Sequence, residues 1–156
     1  MRNNDKYYMQ KALELAERAA SIGEVPVGAV VVKKSTGEIV GEGYNRREVD
    51  KSSLAHAEII AIKQASMKLG GWRLIDCELF VTLEPCPMCT GAIINSRIER
   101  VIFGAYDLKA GSCSSVVNLF ELPYNHKPMI TAGVLKTESS RILSDFFKDL
   151  RNKKNK

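Results

Sequence analysis

Apolar positions recur along the chain with two different periods, and the switches between them mark out its elements. Tyr8, Ala12, Leu15, Ala16, Ala19 and Ile22 fall at helical spacing and Gly23 follows as a stop, so a helix is expected over residues 4–22. Residues 27–33 are β-branched and read as a buried strand. Ser35-Thr36-Gly37 supplies a turn, and residues 38–45 read as the returning strand of a hairpin. After a polar loop at 46–54, residues 55–69 are helical in period and composition, closed by Gly70-Gly71. Residues 78–83 (ELFVTL) form a third strand, Pro85 opens a helix over 86–95, and residues 100–104 (RVIFG) form a fourth strand. A loop of small polar residues follows over 105–115, then a short helical piece near 116–122 and a fifth strand at 129–131. Ile142, Leu143, Phe146, Phe147 and Leu150 mark one face of a C-terminal helix.

The order α-β-β-α-β-α-β-(α)-β-α implies an α/β fold: a mixed five-stranded sheet covered on both faces by helices, a three-layer α/β/α arrangement. A single domain is expected over residues 1–156, ending in a basic helix and tail at about 137–156. The 156 residues suffice for one core, burying roughly 68–70% of the surface the unfolded chain exposes. Apolar residues at 45% and charged residues at 26% are globular values, which excludes a disordered or fibrous chain. The first twenty residues hold no uninterrupted apolar run, and nothing approaches a membrane span. A soluble, cytoplasmic protein with no membrane partner is therefore expected. The net charge of +5 is uneven: residues 148–156 (KDLRNKKNK) carry five basic side chains and one acidic. Such a tail can steer a polyanion; it also suits a solvated helix end, where lysines complement the dipole.

Two short segments carry candidate chemistry: His56-Ala57-Glu58, and Pro85-Cys86-Pro87-Met88-Cys89. Both fall at predicted helix starts. Cys-x-x-Cys there turns both sulfurs toward one point, where backbone N–H groups and a bound cation favour thiolate. Of the two histidines, His56 has a carboxylate two residues on. His56, Cys86 and Cys89 as ligands would leave zinc one open position, the mark of a catalytic rather than structural centre. Two thiolates neutralise the metal, so its water is less acidic than in a three-histidine site and a local base is needed; Glu58 is placed to be that base. Each element alone has a plain alternative. Cys-x-x-Cys also serves redox pairs, and Cys77, Cys86, Cys89 and Cys113 could together make a structural four-cysteine zinc site. The combination H-x-E followed by P-C-x-x-C is far more specific, and is the signature of zinc nucleobase deaminases.

On these residues the chain resembles the cytidine/deoxycytidylate deaminase superfamily, and within it the bacterial enzymes that act on adenosine in tRNA. Further segments carry the likeness along nearly the whole chain: G-E-V-P-V-G-A at 23–29, Asn45-Arg46, Trp72-Arg73-Leu74, T-L-E-P-C at 82–86, Ser96-Arg97, Phe103-Gly104-Ala105, Asn125-His126 and Asp145-Phe146-Phe147. The resemblance implies hydrolytic conversion of adenosine to inosine at the first anticodon position of a tRNA, usually an arginine tRNA. It also implies one zinc per subunit and a homodimer. It places Asn45 on the target base, Val27 and the backbone of Ala57 in the base pocket, and Asp107 and Lys109 beside neighbouring ribose and phosphate. Asn125, His126 and Phe147 would hold flanking nucleotides. The bland alternatives are a turn for Asn45, solvated loop charges for Asp107 and Lys109, and a structural histidine at 126. Phe146 and Phe147 are adjacent, so one is expected in the core and the other half exposed. Tyr106 departs from the family pattern, a difference that bears only on a local RNA contact. Cys77 and Cys113 are expected to be free thiols. Two rivals explain part of the pattern. A deaminase of free guanine or cytosine leaves the basic tail idle, and a non-catalytic zinc-stabilised RNA-binding module leaves Glu58 unexplained.

Overall fold

A computed structural model describes residues 2–155; Met1 and Lys156, the last lysine of the basic tail, lie outside the described residues. Helix α1 (Asp5–Ser21) leads into a hairpin of β1 (Gly28–Lys33) and β2 (Glu38–Tyr44). Then come α2 (Ala57–Leu69), β3 (Cys77–Leu83), α3 (Pro87–Asn95), β4 (Arg100–Ala105), a single 3₁₀ turn (Leu119–Glu121), β5 (Met129–Ala132) and α4 (Lys136–Lys154). The expected helical piece near 116–122 is reduced to that turn. No helix among the described residues is long and apolar enough to cross a membrane.

The five strands form one sheet in the order β2-β1-β3-β4-β5. β1 pairs antiparallel with β2 and β3, whereas β3-β4 and β4-β5 are parallel. Alternation along the central strands divides the core. Ala29, Val31, Leu79, Val81, Val101 and Phe103 point to the face covered by Ala57, Ala61 and Ala65 of α2 and Ile93 of α3. Val30, Val32, Phe80 and Ile102 point the other way, onto Met9, Ala12 and Leu15 of α1. Both faces of these strands are buried, which is why their middles, Val30–Val32, Leu79–Val81 and Val101–Phe103, run apolar. The three-layer α/β/α expectation is met.

Two glycines fix how closely α2 lies on the sheet. A Cβ at Gly41 would collide with the carbonyl oxygen of Ala61, and one at Gly43 with that of Ala57. Backbone therefore packs on backbone, and the first turn of α2 is pinned over the edge of the hairpin.

The other side of the sheet holds a charge cluster that the hydrophobic pattern did not reveal. Arg100 of β4 is only 2% exposed. Its Nε donates to Glu78 Oε2 at 2.6 Å and its Nη2 to Asp5 Oδ1 at 2.8 Å. Nη1 donates to Asp5 Oδ2 at 3.0 Å and to Thr131 Oγ1 at 2.9 Å. One guanidinium thus ties α1 to β3, β4 and β5. Burial alone would raise the Asp5 carboxyl, but the hydrogen bonds from Arg100 and the Arg2 backbone, with the Arg100 charge, hold it below its ordinary 3.8.

Removing the cation would strand two buried carboxylates. Arg100→Met should therefore destabilise the fold by about 3–5 kcal/mol at neutral pH, read from denaturant unfolding. A depressed carboxyl stabilises the native state above its unfolded pKa, and that contribution is lost as pH falls through the folded value. The difference between wild type and variant should therefore shrink below pH 3.8.

Candidate active site

His56 and Cys86 occupy equivalent places in the chain. Each has extended backbone and sits at the N-cap of its helix, His56 before α2 and Cys86 before α3. Neither uses its side chain to cap the helix, so both are available to a ligand. Cys89 follows one turn into α3 and is fully buried. The loop 46–54 before α2 and Glu84-Pro85 after β3 deliver these two helix starts to one point at the same end of the sheet.

Nδ1 of His56 lies 3.7 Å from Cys86 Sγ and 3.6 Å from Cys89 Sγ, and all three ligand atoms fall within 4.8 Å of one another. Tetrahedral zinc, with Zn–S of about 2.3 Å and Zn–N of about 2.0–2.1 Å, sets nitrogen and sulfur ligands roughly 3.6 Å apart. The triangle therefore fits a zinc ion, with one position left open. The hydrogen bond from Cys89, helped by His56, pulls the Cys86 thiol down to about 4, so this sulfur is poised as a thiolate ligand. Cys77 and Cys113 stand apart from the triangle as free thiols, and burial pushes them up to about 11 and about 12. The four-cysteine alternative has no geometric basis.

Glu58, in the first turn of α2, is 4% exposed. Burial raises its carboxyl to about 7, with the neighbouring Cys86 thiolate adding to the rise. It is close to both sulfurs yet outside the ligand triangle, and a carboxyl near neutrality is suited to both accepting and donating a proton.

His56, Glu58 and Cys86 line a cavity of about 200 Å³ together with Val27, Asn45, Ala57 and Asp107. Val25, Arg47, Leu83, Glu84 and Ala110 complete the wall; none of these five was singled out from the sequence. The Asn45 side chain donates to the Val25 carbonyl at 3.2 Å and accepts from the Arg47 N–H at 3.2 Å. It makes a turn and lines the cavity at once, since an amide that spends one N–H on the backbone keeps a second for a ligand. Asp107 Oδ1 accepts the N–H groups of Lys109 and Ala110 at 3.1 and 3.2 Å, which winds its own loop tightly.

The remaining expected RNA-contacting residues separate. Lys109 and Phe147 share an adjacent groove with Leu143, Leu150, Arg151 and Lys154. Phe147 is 41% exposed there, while Phe146 is half-buried against the end of α1. Neither ring reaches the core, because α4 buries only Ser139. Asn125 is exposed and does not line the cavity. His126 lines a different groove with Arg73, Arg97 and Lys127, and its Nε2 meets the Ile98 carbonyl oxygen at 2.6 Å. That ring anchors the segment before β5, in a groove separate from the cavity that His56 and Cys86 line.

Comparison with known proteins follows the same lines. Residues 2–105 match the model for the cytidine and deoxycytidylate deaminase zinc-binding region. The chain is 47% identical over 151 residues to a tRNA-specific adenosine deaminase of Bacillus subtilis, covering 96% of this chain and 92% of the relative. It superposes with a TM-score of 0.84 on a structure from studies of A-to-I editing by tRNA:A34 deaminases, at 40% identity and over 88% and 99% of the two chains. A guanine deaminase from Nitrosomonas europaea has a TM-score of 0.80 but only 26% identity, over 90% and 83%. The chain belongs to the cytidine and deoxycytidylate deaminase family, and within it groups with the tRNA-specific adenosine deaminases.

Proposed function

We propose that this protein deaminates adenosine to inosine at the first anticodon position of a tRNA, with an arginine tRNA as substrate. The observation that carries the reading is the meeting of His56, Cys86 and Cys89 at zinc-ligand spacing beside the buried Glu58. This occurs in a chain 47% identical to a tRNA-specific adenosine deaminase. The cavity is on the scale of one heterocycle rather than a folded RNA. The reacting base must therefore leave its stack, which is easiest from a single-stranded loop.

His56, Cys86 and Cys89 would hold one zinc per subunit, and when bound it supplies an acidified water as the nucleophile. Glu58 takes the proton which that water gives up and delivers it to N1 of the adenine as C6 is attacked. Ionised again, Glu58 takes the proton of the hydroxyl newly added at C6 and passes it to the amine, so that C6 becomes a carbonyl as ammonia leaves. Asn45 orients the base, with Val27 and the Ala57 backbone against its face and edge. Asp107 and Lys109 hold the neighbouring sugar and phosphate. The groove around Phe147 continues from there into Arg151 and Lys154 of α4, a run of cation and aromatic suited to splayed nucleotides. Asn125 and His126 would meet flanking nucleotides further out. The family resemblance supports a cytoplasmic homodimer. The free-guanine reading is disfavoured by the lower identity to the guanine deaminase.

Zinc should stay at about one per chain in Cys77→Ala and Cys113→Ala, measured by metal analysis; loss in either would restore the four-cysteine site. Glu58→Ala should keep zinc and RNA binding while turnover falls by roughly 10²–10⁴-fold or more. Near-normal inosine formation by that variant would remove Glu58 from the mechanism. The substrate is tested by separate incubations with anticodon stem-loops bearing adenosine, and with free guanine and cytosine, followed by mass spectrometry. Inosine in the RNA is expected. Efficient attack on the free bases alone would defeat the tRNA assignment. Deleting residues 151–156 should weaken RNA binding and flatten its salt dependence, by about 0.7 in log–log slope for each single-strand phosphate that the tail no longer neutralises.

A further inference from the structure

Two acidic side chains beside the cavity take no part in the metal or proton chemistry, and both are as buried as the core. Glu24 is 1% exposed and Glu84 2%. A carboxylate that far from water is costly unless its oxygens are satisfied. Glu84 accepts the N–H groups of Asp107 at 3.1 Å, Cys113 at 3.3 Å, Ser114 at 2.8 Å and Ser115 at 2.9 Å, and the Ser115 hydroxyl as well. All five donors come from one loop, residues 107–115. Glu24 accepts the N–H groups of Glu48 at 3.1 Å and Val49 at 2.9 Å, both from the loop that follows β2. Both loops line the cavity: Asn45 and Arg47 come from one, Asp107 and Ala110 from the other.

We propose that Glu24 and Glu84 are positioning residues, each clamping one wall of the cavity through backbone N–H groups so that the pocket is shaped before substrate enters. This rests on reading the cavity as the substrate site. A carboxylate is suited to the task because it only accepts; a glutamine amide would turn an NH₂ toward N–H donors. Clamping by backbone rather than by side chains leaves the loop side chains to meet the ligand. Gly111 shows how closely the second loop is drawn in. A Cβ there would overlap the Glu84 carboxylate and the Asp107 carbonyl, while the Gly111 N–H donates to that carbonyl at 2.8 Å. A wall fixed in advance spares the entropy of ordering it on binding.

Glu84 lies two residues before Cys86, so its replacement alone could disturb the metal end. Gly111→Ala attacks the same clamp from the loop side, and Glu24→Gln tests the other wall, away from both cysteines. The experiment compares zinc-loaded wild type with Glu84→Gln, Gly111→Ala and Glu24→Gln by residue-resolved amide hydrogen exchange, zinc content, and kcat and KM on adenosine anticodon RNA. Glu84→Gln and Gly111→Ala should speed exchange at Ser114 and Ser115 by about tenfold or more and leave Glu48 and Val49 unchanged. Glu24→Gln should do the reverse. Amides of β3 and β4 should stay protected and zinc should stay bound. Catalytic efficiency should fall on the order of 10–100-fold, chiefly through KM. Unchanged loop exchange in the folded variants would overturn the proposal, and so would loss of loop protection, sheet protection and zinc together. If Glu84→Gln does not fold, Gly111→Ala and Glu24→Gln decide by the same readouts. If wild type leaves the RNA untouched, the substrate reading fails by itself, and the exchange comparison still upholds or overturns the clamps.

Discussion

Three ligand atoms can gather within 4.8 Å only if two helices, distant in sequence, begin at the same place. Much of the chain is arranged around that meeting. β3 runs antiparallel to β1 and hands the chain to α3 at the end of the sheet where α2 also starts. Gly41 and Gly43 let α2 settle on the hairpin with no side chain between, which fixes the height of His56 and Glu58 above the sheet. Both helix starts carry the positive end of a dipole. The point where they converge therefore favours a thiolate at Cys86, whereas burial outweighs the dipole at Glu58.

The same convergence has a cost in stability. Glu58 is buried deeply enough that its carboxyl is pushed up to about 7, which costs the native state free energy whenever the group is ionised without a nearby cation. Charge on the far side of the sheet is handled in the opposite way. There Arg100 is matched to Asp5 and Glu78 with good geometry, and the cluster joins α1 to three strands. Of these three acids, Glu58 is left poised, whereas Asp5 and Glu78 are matched to Arg100.

Most of the architecture was legible because its elements are long and strongly periodic. The Val-rich strand 27–33, the ELFVTL strand and the α1 stripe all stand within a residue or two of expectation. The metal triangle was legible because ligand chemistry permits few spacings. What stayed hidden depends on contacts far apart in sequence. Arg100 looks like any strand-end arginine until Asp5, 95 residues away, is seen against it. Glu24 and Glu84 were visible only as letters inside family segments; their work is done by the N–H groups of other residues, which a sequence does not display. His126 was open to two readings, and its bond to the Ile98 carbonyl depends on a loop path that no local pattern sets. Phe146 and Phe147 were expected to divide between core and surface; both stay outside the core because α4 fully encloses only Ser139.

The exposure of α4 has a consequence for how such a chain can change over generations. α4 spans 19 residues yet contributes one small buried side chain, Ser139, held where Gly104 makes room for it. Its other inward contacts are shallow: Leu143 packs half-buried on the core and Phe146 lies half-buried against the end of α1. Substitutions at the exposed positions of α4 are only weakly filtered by folding, so the surface of the helix can drift while the zinc ligands stay in place.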